Sequence, residues 1–190
     1  MSSPRWLVFL DRDGTLVPDL RHPSRPGQLH LYRAAGIGLR ALGRAGAILV
    51  LVSNQSAVAR GLLTLPGLRR MDRRLKALVR AAGARIARAY YCPHFPGITG
   101  PCACRKPEPG MLRAGLCEQG VRPRDAYLIG DTLGDLEAGR RAGVTTVLVL
   151  TGHGRAARAE ALRRGLADAV ARDLEGAARW ILAERARRRN

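Results

Sequence analysis

The chain has 190 residues, 46% of them hydrophobic, with four cysteines. A length like this suits one domain (residues 1–190) that buries about 70% of its unfolded surface without disulfides, and no run of about 18 apolar residues or leader pattern is present, so a soluble cytoplasmic protein is expected and a membrane partner is not. The formal charge of +18 comes almost wholly from arginine and suits anionic partners, but 4% aromatic residues offer few platforms for stacking bases, so nucleic acid is not expected as the main ligand.

Residues 6–10 are five apolar residues in a row, the pattern of a short strand buried on both faces of a parallel sheet. Asp11, Arg12, Asp13, Gly14 and Thr15 follow at once. Two carboxylates at the carboxyl end of such a strand repel each other unless a cation or a shared proton intervenes, and that end is where α/β sheets take ligands. Residues 17–31 hold three prolines and no period, so they read as a loop able to cover the turn as a flap. A helix is expected over 34–44, with Ile37, Leu39 and Leu42 on its apolar side, then a buried strand over 47–52 that ends in Ser53, Asn54 and Gln55. Pro66 opens a helix to about residue 82 whose Arg69, Arg70, Arg73, Arg74 and Lys76 form a solvated face.

A strand over 87–91 leads into a loop rich in Pro, Gly and Cys at 92–107, then a helix over 110–119 with Cys117 read as a core residue. Strands follow at 126–129 and 145–150, with a helix to residue 142 between them. A short strand at 167–170 and a helix at 174–187 complete the chain, and the arginine-rich tail 185–190 is expected to fray. Alternating strands and helices with short links give an α/β fold, a doubly wound, Rossmann-like parallel sheet with helices on both faces.

Each buried strand thus ends in a polar cluster suited to phosphoryl transfer. Ser53 and Asn54 offer donors for phosphate oxygens, and Arg105 with Lys106 pairs a forked guanidinium with a compact ammonium. Asp131 and Asp135, placed beside Asp11, would make a hard oxygen site suited to Mg²⁺. A phosphoryl transition state spreads charge over its oxygens, so positioning and cations do most of the catalysis.

Cys92 and His94 lie on one side of a seven-residue loop, and Cys102 and Cys104 on the other. Alternate residues of an extended chain project to one face, so each pair can reach one ion. Three thiolates and an imidazole suit a closed, structural Zn²⁺ site that would pin the loop leading into Arg105 and Lys106.

Asp11-Arg12-Asp13-Gly14-Thr15, Ser53, Lys106, and Gly130-Asp131 with Asp135 resemble, in order, the four motifs of the haloacid dehalogenase-like phosphatases, over roughly residues 5–152. The resemblance implies that Asp11 is the nucleophile and that Asp13 is the general acid and base. It also implies that Asp11, Asp131 and the main-chain carbonyl of Asp13 hold Mg²⁺, and that Ser53 and Lys106 grip the phosphoryl group, with Gly14, Thr15, Thr132 and Asp135 in support. The zinc loop at 92–104, together with residues 54–61 and 106–111, is similar to the capless branch of that family, which has no separate cap domain. That branch acts on heptose 1,7-bisphosphate and on histidinol phosphate, and the residues after Lys106 favour the heptose members. By that likeness Arg105 would contact the second phosphate or the sugar, with Asn54 and Gln55 helping. Ser53 stands where those members usually have Thr, Ala57 where they have Gly, and Thr132 where many have Lys. The expected partner is therefore a phosphorylated sugar, a sugar bisphosphate, met by a monomer. A basic zinc module that binds nucleic acid, and a nucleic-acid 3′-phosphatase, are the rival readings.

Overall fold

The structure, a computed structural model, describes residues 5–20 and 25–188. Six parallel strands form one sheet in the order β3-β2-β1-β4-β5-β6. They are β1 (Leu7–Leu10), β2 (Ile48–Asn54), β3 (Ile86–Cys92), β4 (Ala126–Gly130), β5 (Thr145–Val149) and β6 (Ala169–Ala171). The order reverses between β1 and β4, which pair directly, with Leu7 opposite Ala126 and Leu10 opposite Ile129. Loops diverge on either side of that seam and leave a crevice at the strands' carboxyl ends.

Every residue of β1 is buried because β1 sits mid-sheet with helices on both faces. Val8 and Leu10 face one core with Leu39 and Leu42 of α1 (Arg33–Arg44), Met71, Leu75 and Val79 of α2 (Leu65–Ala81) and Ile181 of α7 (Leu174–Arg187). Leu7 and Phe9 face the other with Met111, Leu112 and Leu116 of α4 (Gly110–Gln119) and Ala138 of α5 (Leu133–Ala142). Alternate residues of one apolar run thus serve two cores, and this fixes where Asp11 emerges.

Four expectations change. The helix α6 (Gly154–Arg163) had no sequence forecast, because its buried positions are only Gly154 and Ala161 and give no apolar period. A single turn, α3 (Pro96–Thr99), interrupts the loop after β3. Cys117 is exposed rather than in the core. The buried side of α4 carries Met111, Leu112, Gly115 and Leu116, and Cys117 lies off that stripe. Ile37 is likewise exposed, since α1 buries Ala35, Gly38, Leu39 and Leu42.

The arginine face of α2 is solvated as expected, though Lys76 pairs with Asp72 at 2.8 Å. Of the loop at 17–31, residues 21–24 lie outside the described set, as do 189 and 190 of the tail. Both described ends of that loop are anchored, with Val17 and Leu29 buried and the Tyr32 amide donating to Leu16 O at 3.0 Å. Within the tail, Arg188 Nε donates to Glu184 Oε1 at 2.8 Å.

Candidate active site

Four loops meet at the carboxyl end of the β1–β4 seam around a cleft of about 450 Å³. Its floor is an ion cluster centred on Lys106. The buried ammonium reaches Asp11 Oδ1 at 2.7 Å, Asp135 Oδ1 at 2.5 Å and the carbonyl of Val52 at 2.8 Å. Burial pulls the Lys106 pKa down, but Asp11 and Asp135 more than offset this and hold it above its ordinary value. Burial pushes the Asp11 carboxyl well up; Lys106 opposes the rise, and Asp135, Asp131 and Asp13 add to it. One cation therefore faces several buried acids, which leaves the cluster short of positive charge.

Asp131, fully buried, accepts from Thr15 Oγ1 at 3.3 Å and from the His153 main-chain N–H at 2.8 Å. Its pKa is pushed up to about 6, first by burial and then by Asp135. Gly14 and Gly152 both have positive φ, and a Cβ on either would lie 2.1–2.2 Å from Asp131 Oδ2. Only glycine lets the two turns close on that carboxylate. Ligand oxygens of Asp11, Asp131 and Asp135 lie within 4.8 Å of one another. Asp135, however, spends Oδ1 on Lys106 and Oδ2 on Thr132, whose N–H donates at 3.0 Å and whose hydroxyl donates at 2.5 Å. That exchange also caps α5, so Asp135 and Thr132 fix Lys106 and the helix end together.

Asp13 stands apart from this cluster. Its carboxylate takes Arg12 Nη2 at 2.8 Å and Gln55 Nε2 at 2.9 Å. Gln55 also donates to Ser53 Oγ at 3.0 Å, and Asn54 exchanges both amide atoms with the Lys106 main chain at 2.9 and 3.1 Å. Both amides therefore line the cleft with their donors engaged by protein. Arg105 also lines it, with Nη1 donating to His94 O at 3.1 Å and its guanidinium 5.7 Å from the Phe95 ring centre.

The cysteine cluster closes as the spacing predicts. The three sulfurs of Cys92, Cys102 and Cys104 are 3.2–3.6 Å apart, and His94 Nδ1 is 3.3 Å from Cys104 and 3.7 Å from Cys92. Ligands around a tetrahedral ion with bonds of about 2.3 Å would sit roughly 3.8 Å apart, so only a slight expansion is needed. Burial and hydrogen bonds with Cys92 and Cys102 push Cys104 up to about 12, whereas at Cys102 burial is outweighed by hydrogen bonds from Cys104 and neighbouring groups, which bring it down to about 7. The Gln55 main-chain N–H donates to Cys92 O at 2.7 Å and ties this cluster to the Ser53–Gln55 turn.

Sequence reasoning placed the acids, Ser53, Lys106 and the zinc set at one edge, and they are together. It missed Gly152 and His153, because a main-chain N–H has no side-chain signature. It also missed Asp19, which reaches His153 Nε2 at 3.0 Å across the cleft mouth.

A model of the HAD-hydrolase-like family matches residues 103–177. Over 151 residues the chain is 38% identical to the D-glycero-beta-D-manno-heptose-1,7-bisphosphate 7-phosphatase of Haemophilus ducreyi, covering 76% of this chain and 83% of that one. It is 32% identical over 188 residues to the D-glycero-D-manno-heptose-1,7-bisphosphate 7-phosphatase of Thermosynechococcus vestitus, covering 94% and 96%. The crystal structure of the D,D-heptose 1,7-bisphosphate phosphatase of B. bronchiseptica, complexed with magnesium and phosphate, matches with a TM-score of 0.85 at 32% identity, covering 94% of this chain and 99% of that one. The acid cluster around Lys106, on a sheet of this order and with relatives of this extent, makes the chain a member of the haloacid dehalogenase-like phosphatases, in the family of the heptose 1,7-bisphosphate 7-phosphatases.

Proposed function

We propose that this chain removes the 7-phosphate of D-glycero-D-manno-heptose 1,7-bisphosphate by transfer to Asp11 followed by hydrolysis. The observation that carries the reading is the Lys106-held Asp11 carboxylate on the floor of a cleft walled by Ser53 and Arg105. An Asp11 oxygen attacks phosphorus and the bond to the C7 oxygen breaks. That oxygen takes the proton of the Asp13 carboxyl. Water then attacks the phosphorus, Asp13 receives its proton, and the bond to Asp11 breaks to release phosphate. Ser53 and Lys106 hold the phosphoryl oxygens, and Arg105 meets the second phosphate at the cleft wall.

The acid set fits Mg²⁺, since Asp11 and Asp131 are buried hard donors with less positive charge beside them than they carry. Asp11, Asp131 and the Asp13 carbonyl would hold the ion, which supplies cationic stabilisation to the transferring phosphoryl group. The raised Asp131 pKa predicts a stability signature. A carboxyl that protonates more readily when folded adds stability below its unfolded value near 3.8, and this is lost as pH rises through about 6. Metal-free Asp131→Asn should thus be more stable than wild type at pH 7 by on the order of 2 kcal/mol, with the difference vanishing near pH 4. Added Mg²⁺ should reverse the order at pH 7. Denaturant titrations at the two pH values, with and without Mg²⁺, check this.

Cys92, His94, Cys102 and Cys104 would hold a structural Zn²⁺. One zinc per chain is expected by elemental analysis. Cys104→Ser should lose it and lower activity by about 10- to 100-fold through Lys106, two residues on.

The function is tested by phosphate release from a panel. Heptose 1,7-bisphosphate should exceed histidinol phosphate and a 3′-phosphorylated oligonucleotide by at least about 100-fold in kcat/KM, because a site built for a sugar with a second, anomeric phosphate discriminates against a monophosphate and against a polymer whose other phosphates are diesters. Faster turnover of either competitor would replace the assignment.

A further inference from the structure

We infer that Arg12 and Gln55 are positioning residues that aim the Asp13 carboxylate at the leaving oxygen, an inference that rests on the proton-transfer role proposed for Asp13. Three N–H groups converge on this carboxylate. Arg12 Nε is shared between Oδ1 at 3.0 Å and Oδ2 at 3.1 Å. Arg12 Nη2 and Gln55 Nε2 both add to Oδ2, at 2.8 and 2.9 Å. Oδ2 is therefore saturated, and Oδ1, with one shared contact, is the oxygen left to carry and deliver the proton.

Burial and cost support the inference. The Asp13 side chain is 23% exposed and faces the cleft, where a lone carboxylate would rotate, whereas the Arg12 side chain is 2% exposed. Arg12 Nη1 is buried with no partner among the described residues. A buried guanidinium with an orphaned nitrogen is a net cost to the fold, and an apolar side chain of that length would fill the space at less expense. What Arg12 supplies in return is the two-pronged grip on Asp13. Gln55 adds a registration. Its nitrogen also donates to Ser53 Oγ at 3.0 Å, so the proton donor and the hydroxyl that holds the phosphoryl group are joined through one amide.

The step this serves is the transfer of the Asp13 proton to the departing alkoxide as the phosphorus–oxygen bond breaks. A sugar alkoxide needs that proton, whereas a nitrophenolate leaves without one. Wild type, Arg12→Met, Asp13→Asn and the double variant are therefore compared on heptose 1,7-bisphosphate and on 4-nitrophenyl phosphate, with Mg²⁺ and zinc present. Arg12→Met should lower kcat/KM, which reports only the steps up to phosphoryl transfer to Asp11 and not the later hydrolysis that both esters share, by about 100-fold on the sugar ester and by less than about 10-fold on the nitrophenyl ester. In the Asp13→Asn background it should cost nothing more on the sugar ester.

Equal losses on the two esters, or an undiminished further loss in the Asp13→Asn background, would overturn the inference. Gln55→Leu, which removes one donor and leaves Arg12 buried, should show the same split at smaller size and decides the matter if Arg12→Met does not fold. A wild-type enzyme that hydrolyses neither ester would sink the underlying reading instead, a result distinct from equal losses in an active enzyme.

Discussion

Asp11→Asn is expected to lower kcat on heptose 1,7-bisphosphate by at least about 10⁴-fold while leaving the fold intact. An amide cannot form the acyl phosphate, so the route through two easier steps closes and only positioning remains. The fold should tolerate the change because an amide oxygen can still accept from Lys106, which keeps Asp135 at 2.5 Å as its ionic partner. The substitution also removes a carboxylate that burial and three neighbouring acids already disfavour. Its thermal midpoint should accordingly match or exceed that of wild type. Steady-state kinetics with a melting curve on the same preparation check both halves, and loss of folding together with activity would contradict the account.

Lys106→Met should do the opposite and damage both. Removing the ammonium leaves Asp11 and Asp135 buried, close together and without their cation. Breaking a buried pair in this way costs about 3–5 kcal/mol. The sign with pH follows from the direction of the shifts. Asp11 is already easier to protonate when folded, so at lower pH the orphaned Asp11 takes up a proton and the penalty shrinks. Denaturant midpoints at pH 7 and pH 5 should therefore differ more from wild type at pH 7. Activity should fall by at least about 10³-fold, since the cation proposed to stabilise the phosphoryl oxygens is lost as well. Lys106→Arg should rescue poorly, because a planar fork does not fit a pocket that holds one nitrogen among Asp11, Asp135 and the Val52 carbonyl.

The two expectations rest on one arrangement. Asp11 is placed by a strand buried on both faces, and Lys106 is brought to it from a loop anchored at three points. Asn54 grips its main chain, the cysteine cluster sits two residues upstream, and Asp135 reaches in from the capped start of α5. The Lys106 pocket and the cysteine–histidine loop are joined in this way, which is why damage at Cys104 should be read out at Lys106.

Much of this was legible in the sequence, and the reasons are physical. Five apolar residues before Asp11 fit a strand with two covered faces, as β1 is, and the acids after it inherit their place from that. Cys92, His94, Cys102 and Cys104 announced themselves through residue types whose shared chemistry is narrow. What escaped the reading lacks such a signal. Helix α6 buries a glycine and an alanine and so shows no apolar stripe. The hold on Asp131 comes from a main-chain N–H of His153 and from two glycines, none of which has side-chain chemistry to read. Cys117 was misplaced because residue type was weighed over helical phase. Asn54 and Gln55 are expected near the substrate by resemblance, and the folded geometry adds that their side-chain amides also engage Asp13, Ser53 and the Lys106 main chain.

The central claim is that this cleft cleaves the 7-phosphate of a heptose bisphosphate, and the most direct test follows the product. With heptose 1,7-bisphosphate of each anomer, Mg²⁺ and purified protein, ³¹P NMR should show the C7 ester signal replaced by inorganic phosphate while the anomeric phosphate signal persists. Loss of the anomeric phosphate first, or no phosphate release from either anomer by a folded, metal-loaded protein, would contradict it.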